Sequence, residues 1–240
     1  MNDIAWLSRT QLLVGENRLQ KLINAHVLIV GLGGVGSFVA EFIARAGVGK
    51  MTIVDGDVVD PSNRNRQLPA LISTHGLSKA DVMKERLLQI NPELELIVVK
   101  DFMEPEKMED LLKIKYDYVV DAIDSLTPKL KLLSLAYFNN QRIVSSMGAG
   151  GKLDPTMVRV ADISKTYNDK LAFYVRKRLR KFNIHKGIKS VFSPEVNVPD
   201  SLMFTDGNNY KKSAFGTISY LPAAFGGACA SVVIRDILEM

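Results

Sequence analysis

Cysteine, tryptophan and histidine are scarce in this chain of 240 residues, which has one, one and three of them respectively. The single cysteine, Cys229, excludes a disulfide within the chain and any zinc site built from Cys-x-x-Cys pairs. Such cysteine usage is typical of a reducing compartment, so we expect a cytoplasmic location. Asp3, Arg9 and Glu16 lie among the apolar residues near the start, and this pattern is not that of a secretory signal.

Charge is not strongly biased either, since the net charge is +5 and the pI is near 9.2. A mildly basic chain permits a polyanionic partner without requiring one. With 47% hydrophobic residues, the chain is long enough to bury a sizeable core. The uncharged run over 213–234 is long enough for a membrane span, but its serine, threonine, glycine and proline favour a strand followed by a buried helix. Membrane contact stays the less favoured alternative.

A glycine-rich turn organises the first half of the chain. Apolar, β-branched residues at 27–30 run into Gly31-x-Gly33-Gly34-x-Gly36, and apolar residues at helical spacing follow. Glycines let the backbone approach a ligand, and a helix amino end attracts phosphate. The G-x-G-x-x-G spacing is a weak signal alone, but a second strand ends at Asp55 about twenty residues later, where a ribose hydroxyl needs an acceptor. We therefore predict a nucleotide-binding β–α–β unit.

Strand and helix patterns alternate along most of the chain. We predict strands over 27–30, 50–55, 94–99, 116–124, 142–146, 157–160 and 190–192. We predict helices over 6–23, after the glycine turn, and over 79–90, 105–112, 128–138 and 169–182. Polar stretches at 56–67 and 199–212 are predicted to be loops. In the first helix, Leu7, Leu12, Leu13, Leu19, Leu22 and Ile23 are candidates for the apolar face.

This alternation predicts an α/β fold with a doubly wound, Rossmann-like, mainly parallel sheet and a C-terminal extension of short strands and helices. We divide the chain into an N-terminal helical segment (1–24), a nucleotide-binding core (25–150) and a C-terminal substrate-binding and dimerisation portion of the same domain (151–240). The carboxyl ends of parallel strands meet at one edge of the sheet, and ligands bind there.

Charged residues suited to triphosphate chemistry follow several predicted strands. Arg66 lies in the loop after the second strand, Lys79 begins the next helix, and Asp124 ends the fourth strand. Attack at an α-phosphorus needs cations at the phosphates and a carboxylate to hold a metal. Each residue alone is better explained as a surface charge or helix cap. Together with Asp55 and the glycine turn, they favour nucleotide chemistry.

The ordered motifs resemble the adenylating domain of the ubiquitin-activating superfamily, whose bacterial members (the ThiF and MoeB type) activate ThiS and MoaD. The motifs are Ser8-Arg9-Thr10-Gln11, Gly31-x-Gly33-Gly34-x-Gly36, Asp55-x-Asp57, Asn63-x-x-Arg66-Gln67, Lys79 and Val120-Asp121-x-x-Asp124. The resemblance implies ATP-dependent adenylation of a carboxylate.

The resemblance also implies a role for individual residues. Asp55 would hold the ribose hydroxyls, Asp124 would hold Mg²⁺, and Arg9 would reach the neighbouring subunit's site, which implies a homodimer. Asn63, Arg66 and Lys79 would handle the phosphates. The implied catalytic residues are Arg9, Arg66, Lys79 and Asp124. The implied ATP-binding residues are Gly31, Gly33, Gly34, Gly36, Asp55, Asp57, Asn63, Arg66, Gln67, Lys79 and Asp124.

The chain departs from the carrier-protein activators in two respects, and these narrow the choice of branch within the superfamily. Activators of carrier proteins usually have zinc-binding cysteine pairs and a catalytic cysteine in a crossover loop, and this chain has neither. Residues 158–166, the basic helix after them and residues 190–195 are similar to the TcdA (CsdL) branch, the tRNA threonylcarbamoyladenosine dehydratases. This similarity extends the resemblance to nearly the whole chain.

The branch implies a reaction without an enzymic nucleophile. ATP would adenylate the threonyl carboxylate of threonylcarbamoyladenosine in the tRNA anticodon loop. A neighbouring atom of the same side chain would then close a five-membered ring and expel AMP. A well-placed intramolecular nucleophile has an effective molarity of about 10⁵–10⁸ M, so a missing cysteine is expected.

The predicted basic helix supplies candidate tRNA contacts. They are Arg176, Lys177, Arg178, Arg180 and Lys181. The alternative, that they form a solvated helix face, is less favoured. Tyr167, Phe173 and Tyr174 would suit stacking on an unpaired base, but we expect them to face the core.

Three other functions fit parts of the pattern. The first is an adenylyltransferase that activates the C-terminal glycine of a ubiquitin-like sulfur carrier. The second is a nicotinamide-dependent oxidoreductase, which leaves Arg9, Arg66 and Lys79 without a shared role. The third is a non-catalytic, nucleotide-gated tRNA-binding subunit. The sequence leaves open which tRNAs are used, whether a sulfur-relay protein partner assists, and whether a monovalent ion sits near the nucleotide.

Overall fold

The computed structural model describes residues 4–102, 104–204 and 213–240, and one main sheet organises them. Its strands are β1 His26–Val30, β2 Lys50–Val54, β3 Glu95–Val99, β4 Tyr118–Asp121, β5 Ile143–Ser146, β6 Arg159–Asp162 and β7 Lys189–Phe192. They lie in the order β3-β2-β1-β4-β5-β7-β6. All pairs are parallel except β6 with β7. The prediction of a doubly wound, mainly parallel sheet is confirmed.

Helices connect and cover the strands. They are α1 Ser8–Val14, α2 Glu16–Ile23, α3 Gly36–Arg45, α4 Lys79–Ile90, α5 Pro105–Leu111, α6 Leu126–Phe138, α7 Lys170–Leu179 and α8 Tyr220–Leu238. Short 3₁₀ turns occupy Ala5–Leu7, Pro61–Asn63, Ile72–Thr74, Pro155–Met157, Ile163–Lys165 and Arg180–Phe182. A separate antiparallel pair is formed by β8 Leu202–Phe204 and β9 Ser213–Phe215.

Apolar residues cover both faces of the sheet, as a parallel sheet requires. Successive β1 side chains alternate between the two faces. Val27 and Ile29 join one cluster with side chains of α3, α4 and α8, whereas Leu28 and Val30 join the other with side chains of α6 and α7. All four are at most 2% exposed. Both faces are therefore closed, and loops at the carboxyl edge are left to bind ligands.

Helix α8 is the buried helix predicted for the uncharged run, and β9 is the strand predicted before it. Among the described residues, α8 is the one helix long and apolar enough to cross a membrane. However, 56% of its apolar window is buried within the protein, and Cys229 is fully buried. At Gly226, an added Cβ would lie 2.8 Å from the Cβ of Phe38, so this glycine permits the close packing of α8 on α3. These contacts favour a core helix.

Several predicted boundaries are wrong. The predicted helix over 6–23 is interrupted at Gly15, whose φ of +83° separates α1 from α2. Leu12 and Leu13, assigned to an apolar face, are 81% and 83% exposed. Strand β4 ends at Asp121, so Asp124 lies in the loop before α6. The predicted loop over 199–212 contains β8, and residues 205–212 lie outside the described residues.

Candidate functional site

The glycine turn lies between the carboxyl ends of β1 and β4, where the strand order reverses. Gly31 has φ of +92°, and a Cβ there would lie 2.9 Å from the Ala122 carbonyl oxygen. At Gly36 a Cβ would lie 1.8 Å from the Gly31 carbonyl oxygen. Both positions therefore require glycine for the turn to close. Helix α3 starts at Gly36, so its unpaired N–H groups and positive dipole end lie at the crevice where doubly wound sheets bind nucleotides.

Asp55 follows β2 and is tied directly to the turn. Its Oδ2 accepts a hydrogen bond from the Leu32 N–H at 2.6 Å, and its Oδ1 accepts one from the Asp57 N–H at 2.8 Å. Burial raises the pKa of Asp55, although the nearby Lys79 ammonium acts in the opposite direction. The carboxylate is thus at the place predicted for a ribose acceptor, and that role stays a prediction.

Lys79 lies close to Asp55 and is 5% exposed at the start of α4. Its Nζ lies 3.0 Å from Asp57 Oδ2, and its backbone N–H donates to the Asp57 carbonyl. Ser78 caps α4 by accepting from the Asp81 N–H. The buried ammonium is therefore fixed by the partly exposed Asp57 carboxylate and lies near Asp55, the residue that holds the glycine turn.

The loop after β2 places three further predicted residues. Asn63 is buried, and its carbonyl accepts from the backbone N–H groups of Arg66 and Gln67, both at 3.0 Å. Arg66 donates to the Ser62 carbonyl and to Asn65 Oδ1, both at 2.9 Å. These contacts make a compact turn. A Cβ at Gly34 would lie 3.6 Å from the Arg66 carbonyl oxygen, so the Arg66 backbone lies beside the glycine turn.

Gln67 points at the glycine turn. A Cβ at Gly33 would lie 3.7 Å from Gln67 Nε2. The Gln67 Oε1 is buried without a hydrogen-bond partner within the described part of the chain. Because a buried polar atom is costly when unpaired, this oxygen suits a donor on a bound ligand.

Asp124 is exposed in the loop between β4 and α6. The described residues form no cluster of three or more His, Cys, Asp or Glu side chains that could hold a metal. Mg²⁺ in nucleotide sites takes most ligands from phosphates and water, with one or two protein carboxylates. Asp124 fits that limited role, because it follows the strand that borders the glycine turn.

Arg9 is not brought together with the others. It is exposed on α1. A Cβ at Gly47 would lie 2.7 Å from Leu7 Cδ1, so the start of α1 packs near the loop before β2. That loop is at the amino edge of the sheet, opposite the glycine turn. Within one chain, Arg9 therefore lies away from the predicted phosphate site.

Sequence reasoning missed a buried ion pair beneath this site. Lys129 Nζ lies 2.5 Å from Asp121 Oδ2, and both side chains are 0% exposed. Ser145 Oγ donates to the same carboxylate oxygen at 2.5 Å. Asp121 Oδ1 accepts from the Ile123 N–H at 3.1 Å, which fixes the turn that leads to Asp124. Two signals were available, namely an aspartate at the end of a buried apolar strand and a lysine in the first turns of a largely apolar helix.

A second buried pair was also missed. Lys152 Nζ lies 2.8 Å from Asp169 Oδ2, and it donates to the carbonyls of Gly148 and Ser193 at 3.1 and 2.7 Å. Asp169 Oδ1 also caps α7 by accepting from the Ala172 N–H at 2.9 Å. The pair therefore joins the glycine segment after β5 to the amino end of α7.

Helix α7 presents its charges outward. Ala172, Val175 and Leu179 form its buried face. Lys177 and Arg178 of α7 are exposed, as are Arg180 and Lys181 of the 3₁₀ turn that follows, so the helix predicted over 169–182 ends at Leu179. Arg176 is half-buried against Thr166, to whose hydroxyl it donates. Burial and the neighbouring Arg180 lower the pKa of Arg176.

The expectation that the nearby aromatics face the core is wrong. Tyr167, Phe173 and Tyr174 are 47%, 51% and 49% exposed. The three small and aliphatic residues of α7 suffice to cover its packed face, so the two aromatic residues on the helix lie outside it.

Comparison with known proteins assigns the chain to a family. The ThiF family model matches residues 7–240. The chain belongs to the ThiF family. Among curated ThiF-type relatives, the tRNA threonylcarbamoyladenosine dehydratase of Bacillus subtilis is 40% identical over 97% of this chain and 94% of its own length. The Escherichia coli ThiS adenylyltransferase is 33% identical, but the match covers only 56% of this chain.

Solved structures agree with this assignment. The Escherichia coli tRNA N6-threonylcarbamoyladenosine dehydratase, TcdA, solved with ATP, superposes with a TM-score of 0.90. It is 38% identical, and the match covers 100% of this chain and 97% of that one. The same enzyme has been solved with AMP, with a TM-score of 0.89. The ThiF-type fold of this chain is thus shared along its entire length with a nucleotide-binding enzyme.

Proposed function

We propose that this chain is an ATP-dependent tRNA threonylcarbamoyladenosine dehydratase. The observation that carries the proposal is the nearly full-length relation to dehydratases, which includes α7 and the strands around it. The nucleotide crevice supplies the second half of the argument, since its glycine turn, buried lysine and carboxylates suit ATP. A carrier-protein adenylyltransferase is disfavoured because that relative matches little more than half of the chain.

The chemistry has two steps. A carboxylate oxygen of the threonyl group attacks the α-phosphorus of ATP, and the bond to the bridging oxygen breaks, so pyrophosphate leaves. A neighbouring atom of the same side chain then attacks the acyl carbon, and AMP leaves with the former carboxylate oxygen. The modified adenosine loses one water in total. Because the nucleophile is intramolecular, the protein contributes by positioning.

The described residues divide this work. The amino end of α3 and Gly33–Gly34 would approach the phosphates, while Lys79 and Arg66 would neutralise charge that develops on them. Asp55 would accept the ribose hydroxyls in its ionised form. Asp124 would hold Mg²⁺, which supplies charge neutralisation on the triphosphate.

The site would be completed by a second copy of the chain. Arg9 lies away from the glycine turn in its own chain, and Leu12 and Leu13 of the same helix are 81% and 83% exposed. A homodimer would cover these leucines and carry Arg9 to the partner's ATP. The reaction transfers no sulfur, so its chemistry needs no sulfur-relay partner. A tRNA substrate is consistent with the expected cytoplasmic location.

The decisive assay incubates the protein with ATP and tRNA carrying threonylcarbamoyladenosine, and analyses the nucleosides by mass. A loss of one water from the modified nucleoside, with AMP as co-product, supports the proposal. Appearance of ADP, or pyrophosphate exchange driven by a ubiquitin-like protein instead of tRNA, contradicts it.

Variants test the assigned residues in the same assay. Asp124→Ala and Arg66→Ala should abolish AMP formation and leave the fold intact. Arg64→Ala, an exposed arginine in the same loop, is the matched control and should stay active. Normal AMP release by either site variant would remove that residue from the mechanism.

Subunit mixing tests Arg9. In a mixed dimer of Arg9→Ala and Arg66→Ala chains, one site keeps its own Arg66 and receives Arg9 from the partner. Mixing two inactive variants should therefore restore about a quarter of the activity, since half of the dimers are mixed and each has one intact site. Absence of restored activity in dimers shown to exchange would contradict a role across the interface.

The basic helix is tested by Arg176→Glu combined with Arg178→Glu. This change should weaken tRNA binding while ATP binding stays the same, because the lost contacts are to phosphates of the RNA. Lys115→Glu, at an exposed lysine before β4, controls for a charge reversal outside α7. Unchanged tRNA affinity would contradict this role and would mean that the charges of α7 only form a solvated surface.

A further inference from the structure

An open concavity lies at the amino end of α7. Its volume is about 320 Å³, and it is lined by Asn168, Asp169, Lys170, Phe173, Tyr174 and Arg176. We propose that this concavity binds an unstacked base of the anticodon loop beside the modified adenosine, with Phe173 and Tyr174 as the stacking surface. The inference rests on the proposed function, because it assumes that the RNA is the substrate.

The aromatic pair is positioned for a ligand. The rings of Phe173 and Tyr174 are edge-to-face, with centroids 5.4 Å apart and planes at 76°. Both side chains remain about half exposed, so each offers a ring surface to solvent. The volume falls within the range of about 300–1,000 Å³ found for small-ligand pockets. Proteins that recognise single-stranded loops stack unpaired bases on aromatic rings of this kind.

The charge of the concavity favours RNA over an apolar peptide. Its one carboxylate, Asp169, is paired with the buried Lys152 and caps α7, so its charge is neutralised. Lys170 and Arg176 remain as the cations of the lining. A stacking surface flanked by cations matches a base that is attached to its phosphates.

A chain of contacts links the concavity to the nucleotide site. Lys170 Nζ lies 5.8 Å from the centre of the Phe215 ring. Phe215 packs on Gly150, where a Cβ would lie 2.7 Å from the Phe215 Cβ. Two residues beyond Phe215, the Thr217 carbonyl accepts from Asn65, the neighbour of Arg66, at 2.9 Å. The concavity and the proposed ATP site therefore lie on the same edge of the sheet. This arrangement is required if the modified adenosine is to reach ATP while the neighbouring base of the loop binds in the concavity.

The experiment uses the full-length protein and a modified anticodon stem-loop with 2-aminopurine next to the modified adenosine, on one side or the other. Phe173→Ala and Tyr174→Ala should each weaken stem-loop binding about 5- to 140-fold, the range of a lost aromatic–base stack. The 2-aminopurine fluorescence should change on binding to the wild type and not to the double variant. ATP affinity should stay the same, and Phe173→Trp should retain binding.

Two controls separate stacking from folding. Phe182→Ala removes a similarly exposed aromatic ring (48%) from the 3₁₀ turn that follows α7, outside the concavity. This variant should bind RNA normally. Phe173→Leu keeps an apolar side chain of similar size without a ring, and should bind as weakly as Phe173→Ala at an unchanged melting temperature.

The result that overturns the inference is wild-type affinity in the Phe173 and Tyr174 variants, or an equal loss in Phe182→Ala. Its failure is distinguishable from failure of the proposed function. If the wild type forms no dehydrated nucleoside, the proposed function fails whatever the variants bind. If dehydration proceeds equally in the wild type and both alanine variants at limiting tRNA, only the stacking site is refuted.

Discussion

Removing the ammonium of Lys129 should destabilise the protein more than an average substitution. The side chain is fully buried, and its Nζ contacts Asp121 Oδ2 at 2.5 Å and the Ser146 carbonyl at 2.9 Å. Lys129→Met keeps an unbranched apolar side chain but leaves the Asp121 carboxylate without its counter-charge. Ser145 and the Ile123 N–H would then be the remaining donors to that carboxylate.

The magnitude follows from the burial of both charges. Leaving one member of a buried ion pair unpaired costs about 3–5 kcal/mol. For a chain of this size, each kcal/mol corresponds to about 2–4 °C in melting temperature, so Lys129→Met should melt about 6–20 °C lower. Adding Asp121→Asn removes the uncompensated charge. Its one amide oxygen can accept from the Ile123 N–H, and its NH₂ group can donate to the Ser145 hydroxyl oxygen. The double variant should therefore recover more than half of the lost stability.

The assay is urea unfolding of the wild type, both single variants and the double variant, with AMP formation measured below the melting temperature. Coupling between the two positions is obtained from the double-mutant cycle. A loss below about 1 kcal/mol in Lys129→Met would refute the reasoning, since it would mean that the buried carboxylate needs no counter-charge. A double variant no more stable than Lys129→Met would refute it equally.

Three other predictions use single residues. Burial raises the pKa of the Cys229 thiol to about 12, so iodoacetamide should label the native protein far more slowly than the unfolded chain. The Cys229→Ala variant should still form AMP. Rapid labelling of the native protein would contradict this prediction. Burial raises the pKa of Asp55, so the contribution of Asp55 to the free energy of unfolding should fall as pH rises from 3.8 through the pKa of the folded state. ATP binding needs the ionised carboxylate, so ATP affinity should instead fall as pH drops through the same pKa. Calorimetric titrations with ATP should show that the affinity of the Asp55→Asn variant no longer changes over this pH range. Gly36→Ala should greatly weaken ATP binding, since its Cβ would overlap the Gly31 carbonyl at 1.8 Å, whereas Gly227→Ala, with 3.8 Å of space, should bind ATP normally.

Local patterns predicted the elements that position the nucleotide. The β1–α3–β2 unit and α4 follow from apolar periodicity and glycine spacing, which are properties of a few neighbouring residues. The end of β4 does not follow from such a pattern, because the apolar Ala122 and Ile123 continue it. There, Ala122 still donates to the Val30 carbonyl, but Asp121 Oδ1 takes the Ile123 N–H and turns the chain.

Contacts between segments that are distant along the chain could not be predicted from local sequence patterns. Lys152 looks like a surface residue until its partners, Asp169 and the Ser193 carbonyl, are brought to it by the fold. The exposure of Phe173 and Tyr174 likewise depends on which face of α7 meets α6 and the sheet, a choice that spacing alone leaves undecided. The break at Gly15 shows the opposite case, since a glycine inside a helical pattern was an available signal.

Both buried ion pairs act on one short segment. At the end of β5 the Ser146 carbonyl accepts from Lys129, and two residues later the Gly148 carbonyl accepts from Lys152. Between them, the Met147 N–H donates to the Val191 carbonyl. An apolar pair of similar volume would stabilise the core at least as well, but it could not direct hydrogen bonds at particular carbonyls. The two lysines therefore fix the segment that joins the ATP crevice to α7, and a reaction that depends on positioning requires that kind of rigidity.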